Sequence, residues 1–415
     1  MGIYSVLGTG LQGLAVTSAG LEVVSRNVAN ADTPGYTRKT LGVTSLVVGG
    51  VASGVLAGDV KREVDSLLQR QIRQENAGLG YVRILENYYG QIDQMYGEPG
   101  ESTAIDTLYN TFQTSLESLA TSPDSYIARE QFLRDAQVLA SRLNDMSNDV
   151  QTMRLQTERE IGDSVQQVND LLGRLAQVNS QLGSSSQINS PPADLLDTRD
   201  RYISELSQLI DINVTEGERG IVRVMTGSGT SLLDPLPAQL RFDERGTITA
   251  QSIYDSDSSI SGVGSITIIT PNGGEIDLIS DNQIRSGKLA ALLELRDDYL
   301  VDAQAQLDSI ADALARSLST IGVDSTAATS GTQSGFDIDL AGMQPGDSVS
   351  LTYTVDGVEQ SVTLIAVENA ASLPLSNDAT ADRDDTVIGI DISGGIAAVA
   401  AQINAQPLAL IHILP

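Results

Sequence analysis

Residues 139–182 read LASRLNDMSNDVQTMRLQTEREIGDSVQQVNDLLGRLAQVNSQL, and no proline interrupts the chain between Pro123 and Pro191. Leu139, Leu143, Met146, Val150 and Met153 recur at alternating spacings of four and three, and Val168, Leu171, Leu175, Val178 and Leu182 take the rhythm up again. That period puts the apolar side chains on one stripe of an α-helix. It predicts one very long helix, roughly 128–182, with a change of phase near Ile161. Gly162 and Gly173 lie inside it, each costing about 1 kcal/mol relative to alanine, so a packing partner is required. Residues 285–322 supply one, with Leu300, Ala303, Leu307, Ile310 and Leu314 at matching spacing.

Between the two helical segments the pattern changes. Val222/Val224, Ile248 and Ile266/Ile268 stand in short runs separated by Gly, Asp and Ser, which reads as strand. A second such stretch holds Val349 to Val355, then Asp356-Gly357 as a hairpin signal, with a partner strand expected over 360–367. The fold class is therefore α+β: a long antiparallel, coiled-coil-like helical rod with inserted β-rich domains, the first expected at the rod's tip. The expected division is 1–60, an N-terminal helix with a turn and β segment; 61–204, the first part of the rod; 205–284, a β-rich insertion; 285–322, the returning helix; 323–400, a second β-rich insertion; and 401–415, an apolar tail. Within the rod, helices are expected from about 60 to 96 and 103 to 120, the second broken by Ser122-Pro123-Asp124.

The first thirty residues carry a seven-residue repeat. Leu7, Leu14, Leu21 and Val28 form one row, and Ile3, Gly10, Thr17 and Val24 form a second, offset row. This is the a/d seam of a coiled-coil helix, weakened by Gly10 and Thr17. Such a helix is marginal alone. Thr33-Pro34-Gly35-Tyr36 then predicts a type II turn with Gly35 at the positive-φ position. Strand follows to about Val48, and the glycine-rich 49–58 reads as a hairpin or irregular connection.

Charge narrows the function classes. The 415 residues carry 25 Lys+Arg against 54 Asp+Glu, a formal net charge of −29. No basic cluster offers a nucleic-acid face, and an anionic membrane surface would repel the chain. Nothing reads as a membrane-spanning run or as a cleaved secretory signal, since Arg26 is the first basic residue. Cys is absent and His occurs once, which removes thiolate chemistry and His-cluster metal sites. A Ser-His-Asp triad would have to use His412, in the terminal tail. Ser286-Gly287-Lys288 lacks the preceding glycine-rich loop of a phosphate site, because Asn282 stands where glycine is needed; a helix start capped by Ser286 is expected instead. Gly227-Ser228-Gly229-Thr230 reads as a hairpin turn. Asp194, Asp197 and Asp200 concentrate carboxylates, with Asp194 expected as a helix cap and Asp197 or Asp200 paired with Arg199, Arg201 or a neighbouring chain. No catalytic residue, cofactor or metal is expected.

Asn27-Val28-Ala29-Asn30-Ala31-Asp32-Thr33-Pro34-Gly35-Tyr36-Thr37-Arg38, after Ser18-Ala19-Gly20-Leu21, resembles the N-terminal signature of flagellar rod, hook and hook-associated proteins. Gly54 to Asp65, Asp194 to Asp200 and Ser286 to Leu293 with Arg296-Asp297 look like the branch that joins hook to filament. The similarity runs in order over about 1–325; residues 330–395 match only loosely. The resemblance implies a secreted structural component of the bacterial flagellum, exported by the flagellar type III apparatus. Its terminal segments would fold against neighbouring subunits during assembly. Its partners would be further copies of itself, the hook protein, a second junction protein and the export apparatus. The interface residues it implies are Ile3, Leu7, Leu14, Leu21, Val24, Asn27, Val28, Asn30, Thr33, Pro34, Gly35, Tyr36 and Arg38.

Two other readings have distinct signatures. A hook or distal rod protein shares the opening motif but would be mostly β between residues 100 and 320. A secreted cell-wall hydrolase would need two of Asp194, Asp197 and Asp200 facing one cleft. The family closes in a helix that pairs with the N-terminal one. Here no Lys, Arg, Asp or Glu follows Ala401, and the run Leu408 to Pro415 is apolar, so a chain lacking that helix is expected.

Overall fold

The computed structural model describes residues 3–48, 51–184, 191–257, 260–280, 283–319, 326–330, 333–337, 343–355, 358–376, 379–380, 385–394, 398–399 and 401–402. It forms two compact units, Met1–Ala315 and Arg316–Pro415.

The first unit is organised on one helix. The seven helices α1 to α7 of the described chain are Ile3–Ala29, Ser66–Tyr96, Ile105–Thr121, Tyr126–Ser184, Ala193–Leu209, Lys288–Glu294 and Leu300–Ser319. The fourth, α4, runs 59 residues without a break, about 88 Å at 1.5 Å per residue. Its buried positions follow the expected stripe from Leu139 and Met146 to Leu175, Val178 and Leu182. The change of phase falls at Met153, Thr157 and Ile161, two successive spacings of four. From Met153 onward the buried face widens to adjacent pairs such as Met153/Arg154 and Ser164/Val165, because helices cover one side and strands the other.

A π-turn, Leu295–Tyr299, joins α6 to α7. This returning segment is antiparallel to α4. Lys288 faces Glu160 at 3.7 Å, Arg296 meets Glu158 at 2.7 Å, and the Gln304 carbonyl oxygen accepts from Ser147 (3.0 Å) and Gln151 (2.9 Å). Leu300, Ala303 and Leu307 are buried as the spacing predicts, whereas Ile310 is 38% exposed, so the stripe outruns its partner. Ser286 does not cap α6. The cap is Gly287 at φ 90°, where a Cβ would lie 2.7 Å from the Leu209 backbone; only glycine lets the chain enter the helix that close to α5.

The N-terminal expectations need one larger correction. Residues 60–62 finish a strand, and the helix expected from residue 60 begins at Ser66, after Asp65 accepts from the Leu67 and Leu68 amides at 2.9 and 3.2 Å. The glycine-rich stretch is mostly strand: Lys39–Val48 (β1) pairs antiparallel with Val51–Arg62 (β2). Gly54 serves the helix above it, while Gly58 meets the Gly42 backbone of β1. A Cβ on Gly54 would sit 1.9 Å from the Gln12 side chain, and the Thr9 hydroxyl donates to the Ser53 carbonyl at 2.8 Å, so α1 lies directly on β2.

The strands after α5 form two three-stranded antiparallel sheets. Ile212–Glu216, Val222–Thr226 and Ser231–Leu233 are β3 to β5; Gln239–Phe242, Ile266–Ile269 and Glu275–Asp277 are β6 to β8. The expected hairpin turn at Gly227–Thr230 joins β4 to β5, with Gly229 at φ 100°. Instead of standing at a tip, both sheets lie along α4 and share its core. Two asparagines clamp them there. Asn169 donates to the Leu240 carbonyl and accepts from its amide, both at 2.8 Å; Asn179 does the same to Val222 at 2.8 and 3.0 Å. A strand with side-chain partners on a helix needs no separate domain to satisfy its edge.

In the second unit, Thr326–Ser330 and Gln333–Asp337 (β9, β10) pair antiparallel. Ser348–Val355 (β11) pairs antiparallel with Val358–Val367 (β12), and Asp385–Asp391 (β13) joins β12 in parallel. Val362, Leu364, Ile388, Ile390 and Val399 form its core. The strand expected over 360–367 begins two residues earlier, and Asp356-Gly357 lies outside the described residues, as do His412 and the apolar run 408–415.

The first unit's core holds charge. Arg154, Glu158 and Arg296 are fully buried. The Glu158 carboxylate accepts from Arg296 Nη1 (2.7 Å) and from the amides of Gly264 (2.8 Å) and Arg245 (2.9 Å). Arg154 has carbonyls for partners: Arg296, Thr249 and Ser252. Glu158→Ala leaves two buried amides without their acceptor and takes from Arg296 one of its two carboxylates, Asp297 staying on the guanidinium at 2.7 Å. We expect it to destabilise the first unit by about 3–5 kcal/mol, read as a lowered urea midpoint at unchanged slope.

Candidate assembly interface

Helix α1 uses one face and leaves the other bare. Toward the hairpin it turns Gln12, Val16, Val23 and Asn27, all half-buried. Away from it stand Leu7, Leu14, Leu21, Val24 and Val28, between 56% and 73% exposed. Both rows of the predicted seam are therefore solvent-facing; the Ile3 side chain lies outside the described residues. Gly8, Gly10, Gly13 and Gly20 also stand in α1, and a Cβ on any of them would touch nothing within 4 Å. Each weakens the helix by about 1 kcal/mol with no close packing inside this chain to offset it.

The helix ends in a built elbow. The Tyr36 amide donates to the Thr33 carbonyl at 3.1 Å with Gly35 at φ 80°, the expected type II turn. Asn27 closes the elbow. Its amide donates to the Lys39 carbonyl (2.8 Å), and its oxygen accepts from the Lys39 amide and the Tyr36 hydroxyl, each at 3.0 Å. The Lys39 ammonium lies 4.2 Å over the Tyr36 ring. Asn30 and Thr33 bond within the turn, and Pro34 and Arg38 are exposed. The motif thus divides: Asn27 and Tyr36 hold the elbow together, while the leucine row faces outward.

Ion pairs fasten this elbow to α5. Lys39 Nζ meets Asp194 at 2.5 Å and Asp197 at 2.9 Å; Arg62 meets Asp197 at 3.0 Å and Asp200 at 2.6 Å. Arg199 meets Asp200 at 2.6 Å and Glu216 at 3.2 Å. Three carboxylates spaced i, i+3 and i+6 share one helix side. Burial alone would lower the Lys39 ammonium, but the hydrogen bonds and charges of Asp194 and Asp197 hold it above its ordinary 10.5. Burial alone would raise Asp200, but the charges of Arg199 and Arg62 hold it below its ordinary 3.8. Asp194 is not the expected cap; that position is Pro192, and Asp194 sits in the first turn, where the helix dipole favours it. The Asp200–Arg199 pair is as the sequence suggests. Lys39 and Arg62, both from the hairpin, were not picked out from the sequence, although Lys39 follows the motif directly and Arg62 closes β2.

This pairing removes the hydrolase reading. Asp197 and Asp200 are consumed by guanidinium and ammonium partners, and no two of the three carboxyls are left free to face a scissile bond. Among the described residues no group of three His, Cys, Asp or Glu side chains is placed to hold a metal, and no helix is long and apolar enough to cross a membrane.

Comparison with known proteins agrees with the motif. A family profile described as the flagellar hook-associated protein FlgK helical domain matches residues 89–335, and one described as flagella basal body rod protein matches residues 7–37. Flagellar hook-associated protein 1 of Escherichia coli (strain K12) is 24% identical over 323 residues, 76% of this chain and 56% of that protein. The protein of the same name from Bacillus subtilis (strain 168) is 26% identical over 242 residues, 55% of this chain and 48% of that one. Among solved structures, the flagellar hook junction protein FlgK from Burkholderia pseudomallei aligns at 25% identity with a TM-score of 0.48, over 69% of this chain and 51% of that one. The chain spans about half the length of the curated relatives it matches.

The elbow's charge pattern sets its pH range. The Asp200 contribution is complete above about pH 3.8 and fades as pH falls through its lowered folded value; the Lys39 contribution is complete below about pH 10.5 and fades as pH rises through its raised one. Amide exchange in β1 and β2 is expected to keep constant protection from about pH 5 to 9, after correction for intrinsic rates. In Arg62→Ala that protection should drop by about 3 kcal/mol while α4 keeps its own.

Proposed function

This chain belongs to the flagellar hook-associated protein family, whose helical-domain profile spans residues 89–335; from that premise we propose that it is a structural subunit of the junction between hook and filament, outside the cell. The family is structural, not enzymatic. The observation that carries the reading is the bare leucine row of α1, held outward by an elbow that is itself fully bonded. A helix with exposed apolar rows and four unsupported glycines gains its order from neighbours, which is coupled folding and assembly.

The interface consists of Ile3, Leu7, Leu14, Leu21, Val24 and Val28 on the seam, with Asn27, Asn30, Thr33, Pro34, Gly35, Tyr36 and Arg38 setting its exit angle. Partners are further copies of the chain, the hook protein, a second junction protein and the flagellar export apparatus. The 59-residue helix and its antiparallel return favour the junction branch over a hook or distal rod protein, which would be mostly β in this region.

Two measurements test this. Leu14→Asp should leave the first unit folded, because Leu14 is 69% exposed, yet abolish incorporation into flagella and motility. Normal incorporation of that variant refutes the role. Amides of residues 3–29 should exchange freely in the isolated chain and become protected on assembly; protection already present in the monomer refutes coupled folding.

A further inference from the structure

A protein outside the cell can be fastened by oxidation, but this chain holds no cysteine and no tryptophan. Methionine is oxidised by oxygen transfer, so loss of single electrons is left to the 12 tyrosines. Among the described residues two tyrosine rings meet in one place. Tyr89, on α2, and Tyr299, the last residue of the π-turn, lie with ring centroids 5.6 Å apart at 64°, edge to face. At that separation edge carbons of one ring touch the face of the other.

A carboxylate stands where it can take the proton. Glu294 and Tyr299 are five residues apart. In a regular α-helix such residues point about 140° away from each other. The π-turn between them, closed by the Leu300 amide on the Leu295 carbonyl, turns Tyr299 back, and its hydroxyl donates to Glu294 Oε1 at 3.0 Å. The other carboxylate oxygen accepts from the Tyr81 hydroxyl. Two phenols are thus the partners of Glu294, and among the described residues no guanidinium or ammonium neutralises it. The hydrogen bond to Glu294 raises the Tyr299 phenol above its ordinary 10.0, and burial, then the Glu294 bond, lifts Tyr81 to about 12. Both stay protonated at neutral pH. An electron leaves a neutral phenol readily only with its proton, and Glu294 is the acceptor in contact.

We propose that Tyr89 and Tyr299 form an oxidative cross-linking site that ties α2 to the returning segment. Its co-reactant is a one-electron oxidant, such as a haem peroxidase fed with hydrogen peroxide. Each phenol gives up one electron and its hydroxyl proton, that of Tyr299 passing to Glu294 and that of Tyr89 to water. The two radicals join through a carbon–carbon bond between ring positions ortho to oxygen. The two ortho hydrogens move to the oxygens and restore both phenols. The two electrons and two protons released convert one hydrogen peroxide to two waters. Tyr81 shares the carboxylate but has no ring partner, so it stays outside the link. The bond closes a loop between elements far apart in sequence and so restricts the unfolded chain. The inference goes beyond the assembly role and does not depend on it.

The whole chain, dilute enough to stay monomeric, is treated with hydrogen peroxide and a haem peroxidase. The monomer is recovered from a denaturing gel, digested and sequenced by mass spectrometry. A link between Tyr89 and Tyr299 is expected, lighter than the two separate peptides by two hydrogens and fluorescent as dityrosine. Links only between chains, or within the chain only between other tyrosines, overturn the site. Tyr89→Phe and Tyr299→Phe should each remove the intrachain link, and Tyr81→Phe should keep it. Undiminished dityrosine fluorescence of the monomer in the first two variants overturns the pairing. Glu294→Gln keeps the shape and the hydrogen bonding but is a poor base, and should slow link formation by about tenfold or more at equal oxidant. An unchanged rate overturns the proton transfer. Should Tyr299→Phe unfold, read by far-UV circular dichroism, Tyr89→Phe decides, since Tyr89 is 45% exposed and lies outside the core.

Discussion

One buried carboxylate ties the first unit together. Glu158 lies on α4, and its oxygens reach the π-turn through Arg296 and the strand segment through the Gly264 and Arg245 amides. A charge with no solvent around it is tolerable only when each oxygen has a donor. The three layers cannot slide past one another without breaking that condition. Asn169 and Asn179 repeat the principle further along α4 with neutral groups, each bonding both polar atoms of one strand residue. Apolar burial supplies the driving force of the core; these polar clamps fix its register.

The helices were legible because their signal is periodic. The 4-3 spacing from Leu139 to Leu182 reads directly as α4, phase change included, and the returning stripe at Leu300, Ala303 and Leu307 reads as its partner. What failed was local. Residues 49–58 look like a connection because glycine is a poor strand former, but Gly54 is there for the packing of Gln12 across from it, which no local pattern records. Ser286 looks like a cap, yet the close approach of Leu209 hands the position to Gly287. The placing of the β segment also escaped, since nothing in an asparagine's neighbours in sequence says that it will bond a strand 43 or 71 residues away.

The elbow was half legible. Its turn and its leucine row follow from Pro34-Gly35 and the heptads. The acidic run at Asp194, Asp197 and Asp200 is visible as a cluster, but its partners come from a hairpin more than 130 residues earlier. A carboxylate cluster reads equally as chemistry or as an anchor until the cations are placed. Lys39 and Arg62 decide between those readings.

The elbow grips α5 near the end of α4 where Gly183 accepts from Arg219 and Arg199 from the same corner meets the Gly220 carbonyl. The far end of this 59-residue helix is Tyr126. An unbroken helix of that length behaves as a lever. One degree of tilt imposed at the gripped end sweeps the other through roughly 1.5 Å. Small angular changes at the gripped end are thereby magnified where the lever ends.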